Sequence, residues 1–201
     1  EIAANIHLKL NDHQKTIQFA QQVIAHHPSN PSGYIKYAQG LLIGKFRSKA
    51  YQTAINSLEK FPHNPQLLAV ASETCRSLSR WDESLIHAKQ LIKSHPDFHL
   101  GYLRAAQDLL KLDRPNEACS VAQRGLQTHP NHPQLHSIAS EVYRAKNQLN
   151  QSLNHSRALI KYQPDSIEGH TRTAFDLLSL GRRAEAIEII EQLIQRNKSQ
   201  Q

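Results

Sequence analysis

The sequence predicts an all-α fold, a superhelical solenoid of helix–turn–helix hairpins, and three observations carry that prediction. The first is a proline that returns every 34 residues, at Pro28, Pro62, Pro96, Pro130 and Pro164, in HHPSNP, KFPHNP, SHPDFH, THPNHP and YQPDSI. Nothing is inserted or lost between them, and a fixed period of this length marks a repeat architecture. A Pro at the end of each unit stops a helix, because it lacks an N–H and bars helical geometry for the residue before it. The second is a pair of positions that stay small in every unit. Placing each Pro at unit position thirty-two, position eight is Ala4, Ala38, Ser72, Ala106, Ser140 and Ala174, and position twenty is Thr16, Ala50, Ser84, Ala118, Ser152 and Ala186. Small residues are needed where two helices approach closely, since larger side chains would force them apart. The third is the amphipathic spacing of helices: Ser84, Leu85, Ala88, Leu91 and Ile92 recur three and four apart, the stripe of a helix with one apolar face.

This frame divides the 201 residues into one array of six units: 1–30 (partial), 31–64, 65–98, 99–132, 133–166 and 167–201. Position twenty-eight is aliphatic throughout, as Ile24, Leu58, Ile92, Leu126, Ile160 and Ile194. In the third unit RWDES opens the second helix. In the fourth, KLDRPNEA puts Pro115 near the first helical position with Glu117 in the first turn, where a missing N–H and an acid are both favourable. In the sixth, SLGRRAEAIEII uses Gly181 to end a helix. A second period overlies the first. Even units open SGYIKYAQGLL, LGYLRAAQDLL and EGHTRTAFDLL, and odd ones NPQLLAVASETCRS and HPQLHSIASEVYRA. The unit of duplication is therefore two hairpins long.

This pattern resembles the tetratricopeptide repeat over the whole chain, with RWDES standing where that family has D-Y-D-E-A. The resemblance implies a right-handed superhelix whose first helices line a concave groove, with unit positions two, five, six, nine, twelve and thirteen pointing into it. Carried onto this chain, position six gives Lys36, Arg104 and Arg172, position nine Gln39, Glu73, Gln107, Glu141 and Phe175, position twelve Arg76 and Arg144, and position thirteen Lys111. Such a groove would cradle an extended peptide, with basic groups on its carboxylates. The same residues also form helical pairs that need no ligand, Arg104–Asp108 and Arg172–Asp176 at i,i+4 and Glu73–Arg76 and Glu141–Arg144 at i,i+3. The two-carboxylate clamp of members that grip chaperone tails is missing, because positions five and nine read Ile35/Gln39, Ala69/Glu73 and Leu103/Gln107.

Other function classes find little support. No phosphate loop, zinc-protease helix or nucleophile elbow occurs, so the chain is expected to be non-catalytic and to need no cofactor. Ser72 and Ser140 are read as core contacts, and His87 and His155 as residues of solvated helix faces. Among thirteen histidines the tightest set, His129, His132 and His136, has spacing that could hold Zn²⁺, but Pro130 and Pro133 fix the local backbone and no carboxylate lies nearby as support. The formal charge of +7 permits an acidic partner, while dispersed basic residues and few aromatics argue against nucleic acid. No apolar run approaches the ~18 residues a membrane helix needs. Cys75 and Cys119 fall on helices of different units and read as reduced thiols, which favours the cytoplasm.

The expected function is a protein-interaction module. An alternative is the repeat arm of a larger enzyme, such as a bacterial glycosyltransferase or sulfotransferase. The chain contains no Met and opens on Glu1 in a partial unit, which we read as a segment of a longer protein. The last helix, AEAIEIIEQLIQRNKSQQ, is expected to turn Ile187, Ile190, Leu193 and Ile194 toward its own hairpin. Ala186 and Ile189 would extend the apolar strip, and Ile189 would meet another chain or a following segment.

Overall fold

In a computed structural model the described residues, 12–198, form eleven α-helices and no strand. They are α1 (His13–His26), α2 (Pro31–Ile43), α3 (Arg47–Lys60), α4 (Pro65–Ser77), α5 (Trp81–Ser94), α6 (His99–Lys111), α7 (Pro115–Thr128), α8 (Pro133–Ala145), α9 (Leu149–Tyr162), α10 (Ile167–Ser179) and α11 (Arg183–Lys198). Ala4 and the rest of the partial first helix lie outside the described residues.

Local chemistry explains the boundaries. Pro31, Pro65 and Pro133 open α2, α4 and α8, where a missing N–H leaves no bond unmade. Asn30, Asn64 and Ser166 accept hydrogen bonds from the amides of Ser32, Leu67 and Gly169, capping α2, α4 and α10. Between the two helices of each hairpin the chain passes through a left-handed residue at one fixed position: Lys45, Ser79, Asp113, Asn147 and Gly181, with φ of 62°, 58°, 55°, 56° and 76°. The next amide then reaches back five residues, Phe46 to Leu41, Arg80 to Cys75, Arg114 to Leu109, Gln148 to Tyr143 and Arg182 to Leu177, at 2.8–2.9 Å. This is the Schellman closure.

Packing gathers the chain into two compact units, Glu1–Arg104 and Ala105–Gln201. In the first, α4 lies across the hairpin α2/α3, and Leu67, Val70 and Ala71 join Ile35, Ala38 and Ala54 in one cluster edged by Tyr34, Leu58 and Phe61. A neighbouring cluster sets Leu68, Ala69 and Leu91 against Phe98 and Leu100. In the second unit, Leu153 of α9 meets Ala174 and Leu177 of α10 and Ala186 of α11. The small-residue positions among the described residues are all buried. Where the residue is serine, the two hydroxyls bond each other: Ser72 Oγ to Ser84 Oγ at 2.9 Å and Ser140 Oγ to Ser152 Oγ at 3.1 Å. A buried hydroxyl needs such a partner, so Ser72 and Ser140 are core contacts as expected.

The last helix differs from expectation. Ile189 is half-buried and packs with Ile190 on its own hairpin, and Ala186 is fully inside it. Ile187 and Ile194, expected inward, are the exposed ones, at 60% and 48%. The single-helix pattern could not separate them, because the strip is apolar on both sides and only the position of α10 decides which side is covered.

Candidate functional site

The predicted groove residues lie on first helices, and cross-hairpin ion pairs bring several of them together. In the first unit, Arg104 Nη2 stands 3.4 Å from Glu73 Oε2. Lys36 donates to the Gln39 amide oxygen at 3.2 Å. Gln39 and Glu73 line one shallow cavity of about 200 Å³ with Leu42 and Ile43. The Arg76 guanidinium lies over the Trp81 ring, 5.6 Å from its centroid.

In the second unit Arg172 repeats the contact one duplication later, with Nη2 3.2 Å from Glu141 Oε2. Its Nε donates to Glu168 Oε1 at 2.9 Å, and the Ser137 hydroxyl donates to the same carboxyl at 2.6 Å. Burial pushes the Glu168 carboxyl up, but the bonds from Ser137 and Arg172 outweigh it and hold its pKa below the usual carboxylate value. Gln107 keeps a buried amide oxygen without a hydrogen-bond partner, and Lys111 is exposed. Phe175, one turn beyond Arg172, is 61% exposed.

Two expectations fail here. Arg172 does not pair with Asp176, and Glu141 pairs with Arg172 rather than with Arg144. Asp176 is fully buried and turns to the preceding hairpin, where Arg144 donates to it at 2.9 Å and Ser152 and Ser156 at 2.8 and 3.1 Å. A buried carboxylate must be paired and hydrogen-bonded, and these three donors together do so. The basic rungs are correspondingly neutralised. Arg104 carries Glu73 and Arg172 carries two carboxylates, so the surplus charge that an acidic peptide would read is absent at these two positions.

The histidines also depart from the sequence reading. His155 is not on a solvated face: its ring stacks on Tyr143, with centroids 5.3 Å apart and planes 8° from parallel, and its Nδ1 meets His136 Nδ1 at 3.0 Å. His136 Nε2 donates to the Pro130 carbonyl at 2.9 Å, which leaves its Nδ1 as the acceptor for the His155 N–H. Burial, with a smaller contribution from His136, lowers the His155 pKa to about 4. His87 is half-buried and its pKa is likewise lowered by burial. His136 thus faces His155 instead of joining His129 and His132, whose rings sit edge to face at 6.4 Å. Among the described residues no three metal-binding side chains converge.

Comparison with solved structures decides the fold. TTC0263, a thermophilic TPR protein of Thermus thermophilus, superposes with a TM-score of 0.73 over 88% of this chain and 100% of that one, at 16% identity. The chain has the tetratricopeptide-repeat fold. YrrB, described as a TPR protein with an unusual peptide-binding site, shares the tetratricopeptide-repeat architecture at a TM-score of 0.64, covering 88% of this chain and 91% of that one at 15% identity. By sequence, 101 residues are 33% identical to protein STIP1 homolog of Dictyostelium discoideum, a stretch that is 48% of this chain and 18% of that protein. The chain thus spans less than a fifth of that relative's length. No protein-family model matches the sequence. Among the described residues no helix is long and apolar enough to cross a membrane.

Proposed function

We propose that this chain is a non-catalytic interaction module that binds a peptide or partner protein along its first helices. Exposed Phe175 carries the reading. A large aromatic left in water beside a fixed ion-pair rung is the composition of an interface anchor, where aromatic and arginine side chains dominate binding energy. In the second unit the rung Glu141–Arg172–Glu168 is held by bonds on three sides, so it offers a preorganised polar edge without further ordering cost. In the first unit Lys36, Gln39, Glu73, Arg76 and Arg104 give the corresponding polar edge, and in the second Gln107, Lys111 and Arg144 add to it. The partner this favours carries an apolar anchor and mixed polar groups, in place of a run of acids. Peptide recognition described for YrrB, which shares the fold, supports the class of ligand. Cys75 and Cys119, both buried thiols outside any disulfide, suit a cytoplasmic setting.

The test is selection of peptides on the intact chain, followed by calorimetry with variants. Phe175→Ala is expected to weaken a selected peptide by roughly tenfold or more, a loss of at least about 1.4 kcal/mol, as for an interface anchor. The triple variant Lys36→Glu, Arg104→Glu, Arg172→Glu should abolish binding of peptides that cross the rungs. Peptides indifferent to both variants would place the binding surface elsewhere.

A further inference from the structure

Unit position twenty-seven is leucine in the third, fifth and sixth units, as Leu91, Leu159 and Leu193, each buried, but it is Ser57 in the second. Position seven is small in the third to sixth units, as Ala71, Ala105, Ala139 and Thr173, but it is Tyr37 in the second. A serine in the place of a leucine leaves space that the surrounding helices close only in part. Here the space is a cleft of about 460 Å³, lined by Ile24 and Ala25 of α1, Tyr34 and Tyr37 of α2 and Ser57 of α3, large enough to seat a ligand. Described helices flank it on both sides. Tyr34 and Tyr37 sit on the side of α2 opposite Lys36 and Gln39, because an advance of two residues turns a helix by about 200°. The cleft is therefore separate from the groove positions.

The middle of the cleft is apolar. The Thr53 and Ser57 hydroxyls donate to the Lys49 and Thr53 carbonyls of their own helix at 2.8 and 2.6 Å, and the Tyr34 hydroxyl donates to the Pro28 carbonyl at 3.1 Å. What these groups leave facing the cleft is methyl, methylene and ring surface. Its ends are cationic. Lys60 Nζ stands 5.2 Å from the Tyr34 ring centroid, and Lys49 Nζ stands 6.0 Å from that of Tyr37. Neither ammonium has a carboxylate partner among the described residues. From residue 13 to residue 60 the one acid is Glu59, against Lys15, Lys36, Lys45, Arg47, Lys49 and Lys60, and Glu59 does not line the cleft. Lys49 and Lys60 are three helical turns apart on α3, about 16 Å, which an extended chain spans in about five residues.

We propose that this cleft binds an acidic segment of a partner protein, which seats one bulky apolar side chain between the tyrosines and Ser57 and sets a carboxylate against each lysine. Two cations this far apart match separated carboxylates better than the closely spaced charges of a nucleic-acid strand. The site is independent of Phe175 and the ion-pair rungs, and its test leaves them untouched. Random ten-residue peptides are selected on the intact chain, and their affinities are measured by fluorescence anisotropy. Peptides with acids on both sides of a large apolar residue are expected. Ser57→Leu, which fills the cleft, and the double variant Lys49→Glu, Lys60→Glu, which reverses its ends, should each weaken these peptides by about tenfold or more, while Phe175→Ala leaves them unchanged. Replacing the acids of a peptide by lysine should restore binding to the charge-reversed chain, a recovery that misfolding could not give. The proposal is overturned if no selected peptide loses affinity for the charge-reversed chain, or if the lysine peptide fails to recover it. Displacement of the peptide by a single-stranded oligonucleotide of higher affinity also overturns it, because the cations would then serve phosphates.

Discussion

At the scale of single residues, two buried polar groups carry opposite risks. Asp176 is fully enclosed and satisfied by three donors. Removing one member of such a pair leaves the other uncompensated, which typically costs ~3–5 kcal/mol. Arg144 is one-third exposed and can recover some hydration, so Asp176→Ala is expected to lose about 3 kcal/mol in urea titration, toward the lower end of that range. Asp176→Leu combined with Arg144→Met should restore most of it, because the apolar replacement leaves no charge behind. His155 is the second case. Its folded pKa of about 4 lies below the unfolded value of 6.5, so the unfolded chain binds the extra proton in between. Stability is therefore complete above pH 6.5 and falls as pH drops toward 4. Melting temperatures measured from pH 7 to 4 should decline across that window, and His155→Phe should flatten the part of the decline that His155 causes. His136, with a pKa also lowered by burial, contributes in the same direction. A slope unchanged by His155→Phe would show that other groups set it.

At the scale of elements, glycine placement tells even units from odd ones. Gly33, Gly101 and Gly169 hold the third position of even units, while Leu67 and Leu135 hold it in odd ones. A Cβ on Gly101 would stand 2.9 Å from Ile92 Cγ1 and 3.2 Å from the Ile92 backbone nitrogen. The backbone atom cannot move aside without displacing α5. Alanine gains roughly 0.8–1 kcal/mol in helix propensity over glycine, yet overpacking of a tight contact typically costs ~1–3 kcal/mol. Gly101→Ala is thus expected to destabilise by about 1 kcal/mol in urea titration, and a stabilised variant would show that α5 and α6 are less tightly apposed. The hairpin turns obey a different rule. Left-handed Lys45 and Ser79 hold a conformation that favours glycine, and among the described hairpin turns only the one at Gly181 uses it.

At the scale of the whole molecule the formal charge is +7, and several of the arginines that contribute to it are held in local ion pairs. Arg80–Glu83, Arg114–Glu117 and Arg182–Glu185 close the starts of α5, α7 and α11, besides the rungs already described. Basic side chains held in this way are less available to a phosphate backbone. Binding to a single-stranded oligonucleotide is therefore expected to be no tighter than the roughly 10⁻⁴–10⁻⁶ M of non-specific contacts at physiological salt. Fluorescence anisotropy over a salt series measures this directly. Tight binding with a steep salt slope would mark a nucleic-acid surface.

The sequence by itself determined the repeat, its phase and its helical content. A 34-residue period, a helix-stopping Pro and two small-residue positions are local and periodic, and each hairpin obeys them whatever its neighbours do. It also displayed the two-hairpin duplication, in which Gly33, Gly101 and Gly169 already differ from Leu67 and Leu135. Partner choice among charged groups was decided only by tertiary structure. Within one helix Arg172 has Asp176 four residues on, but stacking buries Asp176 against Arg144, Ser152 and Ser156 and hands Arg172 to Glu141 and Glu168. His155 reads as a surface residue until α8 brings His136 and Tyr143 against it, and the strip on α11 reads the same on both sides until α10 covers Ile189 and leaves Ile187 open. Spacing along a chain fixes which face of a helix a residue takes; which atoms stand opposite that face is fixed by the neighbouring hairpin.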